Sequence, residues 1–420
     1  MIMRKSKPAS SHRIALALAG GGPMGAIYEI GALCALEDAL TGINFTQLNH
    51  YVGVSAGGFI AASMANGLTP RKLCGSFIEN NSRASDVFDP AWLMMPAYDE
   101  FARRAIMLPG LMMAAFWELA VKRKSITHAL ERFSPGLPTG IFSNEEIHRR
   151  LSAQFSLPGR TNDFRQLKTK LTLVATHLDS GESAPFGQPG WDHVPISRAV
   201  QASSALPGLF PPVEIDDKYY VDGALKKTMH ASVALDDGMD LVICLNPIVP
   251  FDASIDDSRV QSRRIPKIID GGLPSVLSQT FRSMIHSRME LGMKHYEKAY
   301  PHTDIVLIEP DRRDAELYLA NTFSYSNRRH LAEHAYQQTM SLLRSGTLTE
   351  KLARHGVHLR AGVLADHKRV LLDQAAYTPR TRLGRAVHEL HAVLDDLQAC
   401  SPSLIPAGLG LGYSQANMTR

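Results

Sequence analysis

Two stretches decide how this chain is read: Ile14-Ala-Leu-Ala-Leu-Ala-Gly20-Gly-Gly-Pro-Met-Gly25 and Tyr51-Val-Gly53-Val-Ser55-Ala-Gly57-Gly58. Each is a short apolar run halted by glycine and followed by residues that can start a helix. The run 14–19 suits a central strand, and Pro23 falls at the first helical position, where its missing N–H costs nothing. Residues 26–40 continue as a helix, with Ile27, Ile30, Leu33, Cys34 and Leu36 at helical spacing. Tyr51-Val52 is a very short strand entering a turn, and the small residues from Phe59 to Asn66 form the helix leaving it. Two successive strand-turn-helix units predict a parallel sheet with helices on its faces.

The pattern continues downstream. Leu171–Thr176, Tyr219–Val221, Leu241–Leu245 and Ile305–Ile308 read as short strands. Helical spacing recurs at about 145–154, 196–205, 274–298 and 327–345, and 225–235 is helix-like. The expected organisation is a basic tail over 1–11, a catalytic core over 12–235 and its completion over 236–345. A helical appendage over 346–400 and a Gly/Pro/Ser-rich flexible tail over 401–420 follow. Within the core, 86–125 stands apart as an insertion rich in methionine and aromatics, including Met94, Met95, Met112, Met113, Phe116 and Trp117. Pro90, Pro96 and Pro109 are expected to break it into short pieces. Flexible thioethers suit varied acyl chains, and aromatics beside Lys122-Arg-Lys124 suit contact with a lipid surface. A pair of core helices would show the same composition.

Bulk properties narrow the field. The 420 residues are 45% hydrophobic and 20% charged, ordinary values for a globular chain with a sizeable core. A net charge of +4 is too small and too dispersed to argue for nucleic acid. Cys34, Cys74, Cys244 and Cys400 lie far apart, which predicts buried thiols in a reducing compartment instead of a disulfide framework. Arg4, Lys5, Lys7 and Arg13 before the apolar run mimic a signal peptide, but cleavage there would sever the glycine turn from its strand. No stretch is long and apolar enough to span a bilayer. The expectation is a cytoplasmic protein, with peripheral membrane attachment through 86–125.

The second stretch contains Gly53-Val-Ser55-Ala-Gly57, a G-x-S-x-G of the kind that lifts a nucleophilic serine out of a strand-to-helix elbow. A tight turn whose serine merely caps a helix has the same letters. The glycine run fits G-x-G-x-x-G, but a dinucleotide site needs an acidic residue at the end of the second strand. Here Glu37 and Asp38 fall within a helix, and the next strand ends in the serine turn. As an oxyanion site the same run offers the amides of Gly21 and Gly22, while Pro23 cannot donate. A serine also needs a base. Seventeen histidines leave a Ser-His-Asp triad open. Asp222-Gly223-Ala224 offers another base, since a carboxylate at the end of a strand points into the crevice of a parallel sheet. Asp-Gly is equally an ordinary turn. No His, Asp or Glu cluster has metal-ligand spacing, so neither metal nor cofactor is expected.

Taken in order, the glycine turn, the early G-x-S-x-G and the later D-G-A resemble the patatin-like phospholipase family over roughly residues 14–235. Ala202-Ser-Ser-Ala-Leu-Pro207 is similar to the family's Ala-Ser-x-Ala-x-Pro stretch. The resemblance implies a three-layer α/β/α sandwich with a mostly parallel central sheet. It further implies Ser55 as nucleophile, Asp222 as its base without a histidine, and an oxyanion hole at Gly20, Gly21 and Gly22. Gly25, Gly53, Gly57 and Gly223 would support those turns. Met24 departs from the Lys or Arg that many members carry there, which shifts the expected substrate from charged phospholipids toward neutral acylglycerols or simple esters. An acyltransferase on the same scaffold and a catalytically silent lipid-binding protein remain the alternatives.

Overall fold

The run 14–19 forms strand β1 (Ile14–Leu18), buried at every residue, as a central parallel strand must be. The computed structural model describes residues 12–79, 93–120, 133–252, 268–314, 317 and 325–372. The basic tail, the flexible tail, most of the appendage and residues 86–92 and 121–125 of the insertion lie outside the described residues. After β1 come α1 (Gly22–Ala39), β2 (Leu40–Thr41), β3 (His50–Gly53), α2 (Ala56–Ala65), α3 (Pro70–Phe77) and α4 (Tyr98–Ala120). Next are α5 (Glu145–Phe155), β4 (Lys170–His177), β5 (Ser183–Phe186), α6 (Ile196–Ser203), β6 (Val213–Ile215), β7 (Lys218–Asp222) and α7 (Ser232–Asp236). The described chain ends with β8 (Leu241–Leu245), α8 (Gly272–Ala299), β9 (Asp304–Ile308), α9 (Tyr325–Arg344), α10 (Thr349–Ala353), β10 (His358–Leu359) and α11 (Ala361–Ala365).

Eight strands make one sheet with hydrogen-bonded neighbours in the order β6-β7-β4-β3-β1-β8-β9, and β5 also pairs with β4. The pairs β1–β3, β1–β8, β3–β4 and β8–β9 are parallel, whereas β4–β5, β4–β7 and β6–β7 are antiparallel. The mostly parallel α/β fold expected from the sequence is therefore present. Chain order reverses at β1, which has β3 on one side and β8 on the other, so the glycine run emerges at a switch point of the sheet. Helix α1 is buried at fourteen of its eighteen residues, because α9, α2 and α3 all pack against it, and its only acidic residues are Glu29, Glu37 and Asp38.

The register along β4 places the site. Leu173 pairs with Gly53 of β3 and, on its other edge, with Phe186 of β5. Ala175 pairs with Ala184 of β5 and Asp222 of β7. A strand has two hydrogen-bonding edges, so β3 and β7 share the edge opposite β5. They approach one another head-on, and their carboxyl ends converge beside Val174.

Several local expectations are corrected. Pro109 does not break the insertion: α4 runs through it from Tyr98 to Ala120. The carbonyl that proline deprives of its donor belongs to Ala105, which is exposed and can turn to water. The helix-like 225–235 is a single turn at Gly223–Leu225 and the short α7. Strand β6 went unforeseen, although Asp216 and Asp217, at φ 51° and 58°, make the tight turn that joins it to β7. Residues 346–371, expected within the appendage, are tied to the body where β10 pairs with β2 and the Arg360 amide donates to Ala39.

Candidate active site

Ser55 stands between β3 and α2 with φ 54° and ψ −123°, a left-handed backbone that few residues other than glycine adopt. Its surroundings over-determine that conformation. The Val54 amide donates to Leu18 at 3.1 Å and the Gly57 amide to Ala19 at 3.1 Å, pressing the start of α2 onto the end of β1. A Cβ on Gly57 would lie 2.3 Å from the Ala19 carbonyl, and one on Gly53 2.6 Å from the Gly58 Cα, so the elbow has no room for side chains there. The Ser55 amide donates to Ser203 Oγ at 2.8 Å, and that hydroxyl donates to the Val174 carbonyl at 2.6 Å.

Asp222 ends β7. Its amide donates to Ala205 at 3.0 Å, and its carboxylate accepts from the Ala224 amide at 2.8 Å. Gly223 presses on β4, since a Cβ there would sit 2.1 Å from the Val174 carbonyl. The 202–205 stretch thus holds both turns, Ser203 gripping the serine backbone and Ala205 the aspartate backbone. Ser203 carried no spacing signal of its own: its partners lie 148 and 29 residues away.

Both side chains are buried, Ser55 at 7% and Asp222 at 4% exposure. Burial pushes the Asp222 carboxyl up to about 6, while hydrogen bonds from the Ala224 amide and the Ser55 hydroxyl pull it back down. Among the described residues no histidine is recorded bonding to the Ser55 hydroxyl. His230, buried and seven residues past Gly223, has its Nε2 against the Gly223 carbonyl at 3.1 Å.

The glycine run lies against the serine: a Cβ on Gly20 would be 3.1 Å from Ser55 Cβ and 3.5 Å from Ala224 Cβ. Gly21 and Gly22, at φ 141° and 59°, turn the chain into α1, and the Gly25 amide closes its first turn on Gly21 at 3.0 Å. The leading amides of a helix have no intrahelical acceptor and carry its positive end. Pro247 packs on Gly21 and Gly25, leaving no space there for Cβ atoms. Met24 is buried with its sulfur 3.8 Å from the Arg282 guanidinium of α8, which also donates to the Val249 carbonyl at 3.4 Å. Position 24 is neutral, but a cation reaches it from another element. Among the described residues no group of three His, Cys, Asp or Glu could hold a metal.

Residues 16–235 match the family model for patatin-like phospholipase. Among solved structures the chain is similar to VipD from Legionella pneumophila, at 16% identity and TM-score 0.37, covering 80% of this chain and 67% of that one. It is also similar to the type III effector ExoU, at 14% identity and TM-score 0.30, covering 93% of this chain and 60% of ExoU. The ExoU–SpcU complex of Pseudomonas aeruginosa matches at 19% identity and TM-score 0.25, over 81% of this chain and 60% of that one. The assignment rests on the family match, which spans more than half of the sequence and runs from β1 through both converging turns: the chain belongs to the patatin-like phospholipase family, enzymes that hydrolyse lipid esters.

Proposed function

We propose that Ser55 is the nucleophile and Asp222 its base in hydrolysis of lipid carboxylic esters, with amides of the Gly20–Gly22 run stabilising the oxyanion. The observation that carries this reading is the meeting of the two residues in a buried junction where the carboxyl is raised to about 6. A free aspartate, at a pKa of about 3.9, is a poor base for a hydroxyl; one raised toward neutrality is better matched. In acylation the Ser55 proton passes to Asp222 as Oγ bonds the ester carbon. The tetrahedral oxyanion then collapses, and Asp222 returns the proton to the departing alcohol. Water enters, gives its proton to Asp222 and attacks the acyl-enzyme; collapse frees the fatty acid and restores Ser55. Backbone amides already aimed at the oxyanion spare the site reorganisation at each step.

Arg282 favours substrates with an anionic head group, since its guanidinium stands beside the turn that would bind the reacting ester. This reading revises the leaning toward neutral lipids that Met24 alone suggested. The exposed aromatics of α4 fit contact with aggregated lipid.

A substrate panel tests the reading: a soluble p-nitrophenyl ester, diacylglycerol and phosphatidylglycerol, each with and without glycerol as a competing acceptor. The wild type is expected to hydrolyse the soluble ester and to label with a fluorophosphonate, whereas Ser55→Ala loses both. Substantial turnover by purified Ser55→Ala refutes the nucleophile, and acylated glycerol as the main product makes the protein a transferase. Arg282→Gln is expected to lower the phosphatidylglycerol-to-diacylglycerol rate ratio by about tenfold, the scale of one charge-assisted contact. An unchanged ratio removes Arg282 from head-group recognition.

A further inference from the structure

Past Asp222, residues 226–231 run beneath α8, strapped to it by Thr228 Oγ1 donating to the Ile285 carbonyl at 3.2 Å and Arg288 donating to Leu225 at 2.6 Å. Segment and helix line a half-open cavity of about 330 Å³, within the size range of small-molecule sites. Met229, Met289, Met293 and Tyr296 give it an apolar floor, and Lys226, Lys227 and Arg288 give it a basic rim. None of its lining residues is acidic.

The rim's bonding separates it from an ordinary solvated surface. Lys226 pairs with Glu182 at 2.9 Å, but the recorded partners of Lys227 and Arg288 are neutral oxygens, Ser232 Oγ at 3.2 Å and the Leu225 carbonyl. In a larger cleft of about 760 Å³ beside α4, the arginines are instead neutralised within the cleft, Arg103 by Glu100 at 3.1 Å and Arg198 by Glu145 at 3.0 Å. Two cations on neutral oxygens above a methionine floor match a ligand with one anionic end and one flexible apolar chain.

We propose that this cavity binds a single-chain anionic amphiphile, its carboxylate or phosphate held by Lys227 and Arg288 and its chain laid on Met229, Met289 and Met293. Neither Ser55 nor Asp222 lines the cavity, and its occupancy requires no turnover.

Isothermal titration of full-length Ser55→Ala tests it, because binding is then read without hydrolysis. The probes are decanoate and decyl phosphate below their micellar concentrations, with decanol and inorganic phosphate as controls. Saturable binding of one decanoate or decyl phosphate per chain is expected, and the tighter of the two identifies a fatty acid or a phosphate head group as the source. Lys227→Gln/Arg288→Gln should weaken it at least tenfold and Met293→Trp, which fills the floor, should weaken it as well, each with its melting temperature retained. If neither anion binds, if decanol binds as tightly as decanoate, or if inorganic phosphate matches decyl phosphate, the proposal is overturned. Should the double variant fail to fold, Met293→Trp still decides, since undiminished affinity there places the ligand elsewhere.

Discussion

Ser55 and Asp222 each accept an unfavourable state, one in its backbone and one in its ionisation. With its carboxyl at about 6, Asp222 is the conjugate base above that pH and a neutral acid below it. The kcat/KM for a soluble ester should therefore rise as pH increases through about 6, and Asp222→Asn should remove this limb and cut turnover by about 10³ or more. Near-normal activity in Asp222→Asn would return the role of base to a histidine. Ser203 stood inside the Ala202–Pro207 stretch, but that motif gave it no task. Replacing it with alanine strips the Ser55 amide of its acceptor and the Val174 carbonyl of its donor, both in buried surroundings. Roughly 1–3 kcal/mol of stability should be lost, with kcat falling about ten- to a hundredfold while KM stays close to wild type. A matching rise in KM would mean that Ser203 serves the lipid pocket instead. The turns that carry Ser55 and Asp222 were legible because turn chemistry marks them locally. The grip of Ser203 was not, because it exists only once three distant segments meet.

At the scale of elements, α4 carries the most unusual surface. Phe116 is 69% and Trp117 57% exposed, on a helix anchored by the buried Glu100, which accepts from Thr139 Oγ1, and by Arg104, which donates to the Pro135 carbonyl. Helix α8 also shows apolar residues to solvent, with Leu273, Leu277, Met284 and Leu291 recurring at four- and seven-residue steps along one face. Phe116→Ser/Trp117→Ser should lower the rate on lipid vesicles several-fold more than the rate on a soluble ester. An equal loss on both would make α4 a structural helix. The sequence marked this segment by composition but placed breaks at its prolines, since local rules treat proline as a terminator and do not show which carbonyl faces water. The short β5 and β6 escaped for a related reason: an edge strand is defined by its pairing more than by its own residues.

Across the whole molecule, buried titratable groups set how stability responds to pH. Asp222 is raised from 3.8 to about 6, so the stability its protonated form contributes is complete below 3.8 and lost as pH rises through about 6. The difference is roughly 3 kcal/mol. His50 and His230 run the opposite way, held by burial at about 4 against an ordinary 6.5, so they withdraw stability as pH falls from 6.5 to 4. With two groups against one in the overlapping window, melting temperature should decline on acidification. Asp222→Asn should be more stable than wild type at pH 8 and nearly equal to it at pH 4, as thermal melts at both values would show; a gain of equal size at both would trace to packing, not ionisation. The parallel body was legible in outline because buried strands read as unbroken apolar runs, whereas the meeting of β3 and β7 on one edge of β4 was not, since it depends on register. That meeting makes the spacing of the proposed Ser55–Asp222 pair a metered length. Gly53 lies opposite Leu173 and Asp222 opposite Ala175, so the gap between the two tips is set by a single residue of β4. Outside α2 and the 196–205 segment that grip the two turns, the chain between the serine and the aspartate can lengthen or shrink without changing it. One extra residue within β4 at Val174 would part the tips by about 3.3 Å and silence the site while leaving every motif intact.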